Sequence, residues 1–258
     1  MNILFTNDDG IKAAGLLSLV KKIPPSVRAC VVAPVNEKSA CSHSISLGQK
    51  LRVEESVVDG LFHYAVHGTP ADCVKFAISE LKQARNFVPD LVISGVNQGA
   101  NTGVSVYYSG TISAAREALI NRIPSVAISL CSKTSQDFLP SVNIVHTLIE
   151  GYAAKQFSTR VLLNVNVPAL PADQIKGAKI TKQAASRFIE EFVPGREHDG
   201  KKVYTLAGEI ELMDPDGTSD EEAVMEGYVS ITPLKLDVTD YEVFPAFEKW
   251  LKAKGGGL

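Results

Sequence analysis

Two adjacent carboxylates, Asp8 and Asp9, followed by Gly10, stand directly after the apolar stretch Ile3 to Thr6. At the end of a buried strand such groups repel each other and lose hydration. A hard divalent cation relieves both problems. Asp, Ser and Asn oxygens suit Mg²⁺, Mn²⁺ or Ca²⁺ rather than a soft metal. Asp and Gly are also common turn residues, and Asp-Asp-Gly in isolation would be a turn. Two further oxygen-rich stretches move the balance toward a cation site. Asn36 to Ser46 and Ser94 to Asn101 each follow a strand-like apolar run, and parallel strands bring the loops beyond their carboxyl ends to one sheet edge.

A second group capable of chemistry lies in YYSGTISAAREA, residues 107–118. Ser109, Gly110 and Thr111 precede an Ala-rich stretch with helical spacing. A helix start offers free backbone N–H groups and partial positive charge, a natural anion site. The plain alternative is an N-cap. The orders G-x-G-x-x-G, G-K-[ST] and G-x-S-x-G are absent, which argues against dinucleotide, P-loop and hydrolase-elbow readings. Carboxylates for a metal together with an anion cradle point to phosphate chemistry. Cys41 and His43 share a loop but lack a second Cys/His pair for zinc. His63 and His67 lie in a strand-like stretch and are expected to be structural.

The elements that must position these groups alternate. Strand-like runs occupy 2–6, 27–33, 90–94, 124–130 and 160–167. Helical spacing covers 13–23, 71–85, 111–121 and 138–154. This predicts an α/β fold, a doubly wound and mainly parallel sheet of Rossmann-like type with both faces covered. Residues 34–50 and 95–109 are expected to be long polar loops, which inside compact domains are usually functional. In 177–232 the pieces GAKIT, KKVYTLAG and GYVSITP flank polar turns and predict antiparallel hairpins projecting from the core. Thr239 and Glu242 fit a capping box for a closing helix over 240–252, followed by a flexible GGGL tail. The expected organisation is one functional domain: a catalytic α/β core at 1–176, a hairpin arm for oligomerisation at 177–232, and the closing helix and tail at 233–258.

Composition narrows the class. The chain has 258 residues, 45% of them hydrophobic, enough to bury a full core. Net charge is −3 with no basic run, which argues against binding a nucleic-acid backbone. Cys30, Cys73 and Cys131 lie in apolar runs, and no C-x-x-C pair occurs. That favours a reducing compartment. No signal peptide is expected at the N-terminus, and no apolar run approaches the ~20 residues of a membrane span. The expectation is a soluble, cytoplasmic protein without membrane partners.

Taken in order, ILFTNDDG, HGTPADCVKFAI, PDLVISGVNQGANTG, YSGTISAA, LLNVNVP and SITPLKLDVTDY resemble the signature blocks of the SurE family of stationary-phase survival proteins. The resemblance spans nearly the full length. It implies a metal-dependent nucleotidase hydrolysing nucleoside 5′-monophosphates, often 3′-monophosphates, and in some members short polyphosphate. It implies one Mg²⁺ or Mn²⁺ per subunit, held by residues matching Asp8, Asp9, Ser39 and Asn97. Phosphate contacts are implied at Asn101, Ser109, Gly110 and Thr111. It also implies a homodimer or homotetramer with exchanged C-terminal elements. Val35, Lys38 and Ala40 depart from the family's usual types in the loop bordering the site and bear on substrate choice. The expected mechanism is attack of metal-activated water on phosphorus, with Asp8 or Asp9 as both ligand and base. An aspartyl-phosphate route stays open. The rivals are a non-catalytic nucleotide sensor and a purely structural metal site.

Overall fold

The alternation of apolar runs with helical spacing becomes, in chain order, β1 (Asn2–Thr6), α1 (Ala14–Val20), β2 (Arg28–Pro34), β3 (Val53–Val58), β4 (Leu61–Val66), α2 (Pro70–Arg85), β5 (Leu91–Gln98), α3 (Ser105–Tyr108), α4 (Gly110–Ile120), β6 (Ser125–Cys131), α5 (Leu139–Ala153), β7 (Leu162–Pro168), β8 (Ala178–Ile180), β9 (Ser186–Pro194), β10 (Tyr204–Leu212), α6 (Asp220–Met225), β11 (Val229–Leu234) and α7 (Phe244–Ala253). The computed structural model describes residues 1–156, 161–196 and 199–254. The GGGL tail and Arg160, where the strand over 160–167 was expected to begin, lie outside the described residues.

One nine-stranded sheet runs in the order β3-β4-β2-β1-β5-β6-β7-β11-β8. From β4 through β7 every pairing is parallel. Strand direction and period-2 side-chain alternation explain the two-sided core. Ile3 and Phe5 point to one face, where Leu16, Leu19, Val142, Val145 and Ile149 of α1 and α5 pack. Leu4 points to the other, beside Cys73, Val74, Ala77, Ala114 and Ala118 of α2 and α4. After β1 the chain builds β2 and β4 on one side, then returns to place β5 on the other. The crevice between β1 and β5 is therefore the topological switch point.

Several expectations are corrected. The hairpin β3–β4 extends the sheet at one edge. It carries little strand signal because five of the six β3 residues are exposed. The loop expected over 95–109 is in part strand: β5 continues to Gln98 through a register shift between Ser94 and Asn97. The segment 177–232 is not all projecting hairpin. β8 and β11 join the core sheet, β11 lying antiparallel to β7, because Val229 is buried in the main core. Only β9 and β10 form a separate two-stranded sheet. The Thr239/Glu242 capping box is absent. Asp240 accepts from the Glu242 N–H to cap a 3₁₀ turn at Tyr241–Val243, and α7 starts after it. All four cysteines are free, with Cys30 and Cys73 buried. No helix among the described residues is long and apolar enough to cross a membrane.

Candidate active site

Asp8 and Asp9 lie just past β1, where the chain turns at Gly10. Asn7 secures that turn by donating its Nδ2 to the Gly10 carbonyl at 2.8 Å. The loop after β2 folds over the same point: Ile11 N–H donates to Pro34 O and Lys38 N–H to Asp8 O, both at 2.8 Å. From the far side comes the end of β5, whose Gln98 N–H bonds Asp9. The start of α4 presses directly on Asp8. A Cβ on Gly110 would sit 2.7 Å from the Asp8 Cβ and 2.8 Å from its Oδ2, so only glycine fits there. Thr111 Oγ1 donates to Asp8 Oδ1 at 2.5 Å. Three loops distant in sequence and one helix start thus meet at the switch point.

The electrostatics are those of an uncompensated acidic pair. Asp8 is 6% exposed, and burial raises its pKa against the opposing hydrogen bond from Thr111. Asp9 is pushed up to about 7 by burial and then by the charge of Asp8. Glu37 adds negative potential to both. None of the ion pairs among the described residues involves Asp8 or Asp9. The buried Asn7 Oδ1 also lacks a hydrogen-bond partner. A site with excess negative charge and unused oxygen acceptors fits a hard divalent cation. Among the described residues no cluster of three or more His, Cys, Asp or Glu side chains occurs, so the set depends on neutral oxygens for its remaining ligands. Asn97 donates its Nδ2 to Gly99 O at 2.7 Å, which leaves its Oδ1 as the atom that could accept or ligate. Ser39 is exposed, and its hydroxyl donates to Glu37.

On the anion side, Ser109 is the N-cap of α4: its Oγ accepts from Ile112 N–H at 3.1 Å. The capping role weighed for this stretch therefore falls on Ser109 and not on Thr111, whose hydroxyl serves Asp8. Asn101 is buried and tightly held. Its N–H donates to Asn166 Oδ1 at 2.8 Å, its Nδ2 to Ser129 Oγ at 2.9 Å, and its carbonyl accepts from Asn164 Nδ2 at 2.7 Å. Its Oδ1 carries no hydrogen bond to the protein.

The long loop from Asn36 to Ser46 is anchored along its length. Ser42 Oγ donates to Tyr107 O at 2.7 Å. Thr69 Oγ1 donates to Ser44 O at 2.8 Å, and Ser46 donates from N and Oγ to Asp72 at 3.0 and 2.7 Å. Burial would raise the Asp72 pKa, but the bonds from Ser46 and Thr69 outweigh it and lower it. His43 meets Glu117 of α4 at 3.0 Å, and Lys75 of α2 reaches the same carboxylate at 2.8 Å. Glu117 is 2% exposed. Burial opposes its charge, yet His43 and Lys75 hold its pKa below the usual carboxylate value.

Sequence reasoning missed the roles of Glu37 and Glu117. A charge on an otherwise apolar helix face, between Ala114 and Ala118, was the available signal for Glu117. His43, set aside as a zinc ligand, is this carboxylate's partner. A groove of about 590 Å³ opens beside α3 and α4, lined by Tyr107, Arg116, Lys182, Thr232 and Asp237 among others. Asp8, Asp9, Ser39 and Asn97 are not among the residues that line it.

The chain as a whole is similar to known proteins. A family model described as Survival protein SurE matches residues 3–190. A Synechococcus protein named 5′-nucleotidase SurE is 43% identical over 255 residues, covering 97% of each chain. One of the same name from Syntrophobacter fumaroxidans is 42% identical over 251 residues, covering 97% of this chain and 99% of its own. The crystal structure of SurE protein from Aquifex aeolicus superposes with a TM-score of 0.82 at 32% identity, covering 98% of this chain and all of that one.

Proposed function

The chain belongs to the SurE family, and from that premise we propose that it is a 5′-nucleotidase whose reacting phosphate lies between the Asp8–Asp9 pair and the start of α4. The observation that carries this reading is the direct contact of the two halves: a buried carboxylate pair without an ion-pair partner among the described residues, pressed against the first turn of a helix, where Gly110 leaves room for Asp8 and the Thr111 hydroxyl donates to it. Without a cation the pair would repel a phosphate. A bare nucleotide sensor has no use for it, which favours catalysis.

Asp8, Asp9, Asn97 Oδ1 and Ser39 would hold one Mg²⁺ or Mn²⁺. Such an ion supplies a neutralising charge, polarises phosphoryl oxygens and lowers the pKa of water. The chain's own groups do the rest. The Gly110 N–H would face charge developing on the phosphoryl oxygens, a preorganised contribution that needs no rearrangement during reaction, while the Thr111 N–H and hydroxyl both serve Asp8. Asn101, fixed by Ser129, Asn164 and Asn166, presents a rigid amide edge. Asp8 or Asp9, at the side of the attacking water, could accept its proton. Val35, Lys38 and Ala40 border the opening and bear on which nucleoside is accepted.

The same reading includes assembly as a homo-oligomer. Phe192 and Leu206 on the β9–β10 hairpin and Phe247 and Trp250 on α7 are each half or more exposed. Apolar surface at that density marks a protein interaction site.

The test is phosphate release from a panel of nucleoside 5′- and 3′-monophosphates, with chelator and with Mg²⁺ or Mn²⁺ added back. Release only with added cation, from 5′-monophosphates, supports the reading. Release insensitive to chelator removes the cation from it, and no release from any nucleotide removes the activity.

A further inference from the structure

The backbone between Asn101 and Val104 joins the β5 end of the site to α3 and the α4 start, and it is fastened from a direction the proposed chemistry does not use. Asp220 opens α6, more than a hundred residues away in sequence. Its side chain is fully buried, and none of the ion pairs among the described residues involves it. Its oxygens meet backbone donors instead. Oδ1 accepts from Ala184 and Glu221 N–H, each at 2.9 Å, and both oxygens accept from Gly103 N–H at 3.2 Å. A charge buried without an ion pair persists only where hydrogen bonds compensate it.

Two neighbours complete the arrangement. Gln183 donates Nε2 to Gly103 O at 2.8 Å, and Ser186 Oγ accepts from Val104 N–H at 2.9 Å. The approach is too close for a side chain. Gly103 has φ +48, and a Cβ there would lie 2.1 Å from Ser186 Oγ and 2.4 Å from Glu221 Oε1. On its other flank the same loop is held at Asn101 by Asn164 and Asn166 of β7.

We propose that Asp220 is a positioning residue for the phosphate site, holding with Gln183 and Ser186 the 101–104 backbone so that Asn101 and the start of α4 stay aligned with Asp8. This rests on the reading of that region as the substrate site. The Asp220→Asn change is selective. Its amide oxygen can replace Oδ1 and keep Ala184, Glu221 and one branch of the Gly103 bond, but its NH₂ in place of Oδ2 then faces the Gly103 N–H, donor against donor. The foot of β9 stays fastened while the hold on the loop is weakened.

The experiment compares full-length wild type, Asp220→Asn and the milder Ser186→Ala. Hydrogen–deuterium exchange is followed in peptides covering 99–111, the β9–β10 hairpin and α6, beside kcat and KM for a nucleoside monophosphate and the melting temperature. The expected result is faster exchange in 99–111 alone, with kcat about tenfold lower and KM changed by less than about twofold, in Asp220→Asn. Ser186→Ala should loosen the same peptide less. Unchanged exchange in 99–111 in both variants overturns the proposal. So does exchange that rises equally in α6, the hairpin and 99–111, which marks general destabilisation. If wild type hydrolyses no nucleotide, the substrate reading falls by itself. Exchange in 99–111 then decides the clamp: protection lost supports it and protection kept overturns it.

Discussion

Thr111 Oγ1 donates a 2.5 Å hydrogen bond to Asp8 Oδ1 across 103 positions of sequence. It ties the first strand's acidic turn to the start of α4. Because the bond favours the charged carboxylate, it opposes the rise in the Asp8 pKa that burial causes.

Thr111→Val keeps the shape and removes that donor, and Thr111→Ala removes both. Loss of a hydrogen bond to a charged group is worth about 1.5–3 kcal/mol, so both variants should lower kcat/KM by roughly ten- to a hundredfold. Each should also need a higher pH to reach half-maximal rate, since Asp8 then holds its proton more tightly. Because the bond is buried in the resting fold, the melting temperature should fall as well. Unaltered pH–rate profiles in both variants would show that the bond does not govern the site.

Asp9 gives a signed dependence of stability on pH. Its folded pKa, pushed up to about 7, lies above the ordinary value of 3.8. Its protonated form is therefore favoured by folding. That contribution is fully present below about pH 4 and is lost as pH rises toward and through 7. In metal-free protein, the melting temperature of wild type should fall between pH 5 and 8, and Asp9→Asn should flatten that fall. Mn²⁺ should stabilise wild type at pH 8 and leave the variant unaffected, because binding to the native state is what stabilises. Equal shifts with Mn²⁺ in both proteins would place the cation elsewhere.

Glu117→Ala strands His43 and Lys75 and opens a small void under the Asn36 to Ser46 loop. Lys75 is 47% exposed and can turn to water, so the cost should be modest, about 1–3 kcal/mol by urea denaturation. The Glu117 pKa is lowered on folding, so its stabilisation is present above its unfolded value and lost as acid protonates it. The difference between wild type and variant should shrink below pH 4. A difference that persists in acid would mean that Glu117 acts by packing alone.

Removal of residues 187–212 tests the hairpin without touching Gln183, Ser186 or Asp220. Ser186 pairs directly with Leu212, so a short Gly linker can join the two ends. Light scattering should show full-length protein as an oligomer and the shortened protein as a smaller species. A full-length monomer at micromolar concentration, or an oligomer unaffected by the deletion, would exclude the hairpin as an interface.

The alternation of strands and helices through residue 168 was legible because buried parallel strands are nearly continuous Val, Ile and Leu, as in VVA of β2 and LVIS of β5. The acidic turn and the α4 start were legible as residue types. What joins them was not. Nothing local to Thr111 distinguishes a helix cap from a donor to Asp8, and nothing local to Asp220 announces Gly103 as its partner. β8 and β11 were misjudged because their short apolar runs match an exposed hairpin as well as a sheet edge. Only burial separates them: Val229 is enclosed, whereas Ile180 is 75% exposed.

The placement of β11 between β7 and β8 bears on how the protein is made. β8 leaves the ribosome before β11, its only partner in the sheet, exists. At about 5–20 residues per second the wait is roughly 3–11 s. Throughout that interval β7 presents an open edge of the kind that templates association with other chains. A chain stopped at residue 176 would keep every proposed metal and phosphate contact and still lack the strand that closes this edge. Truncated transcripts or stalled ribosomes should therefore yield a chaperone-bound or aggregating product, because the edge of β7 stays open until the six residues of β11 have been made.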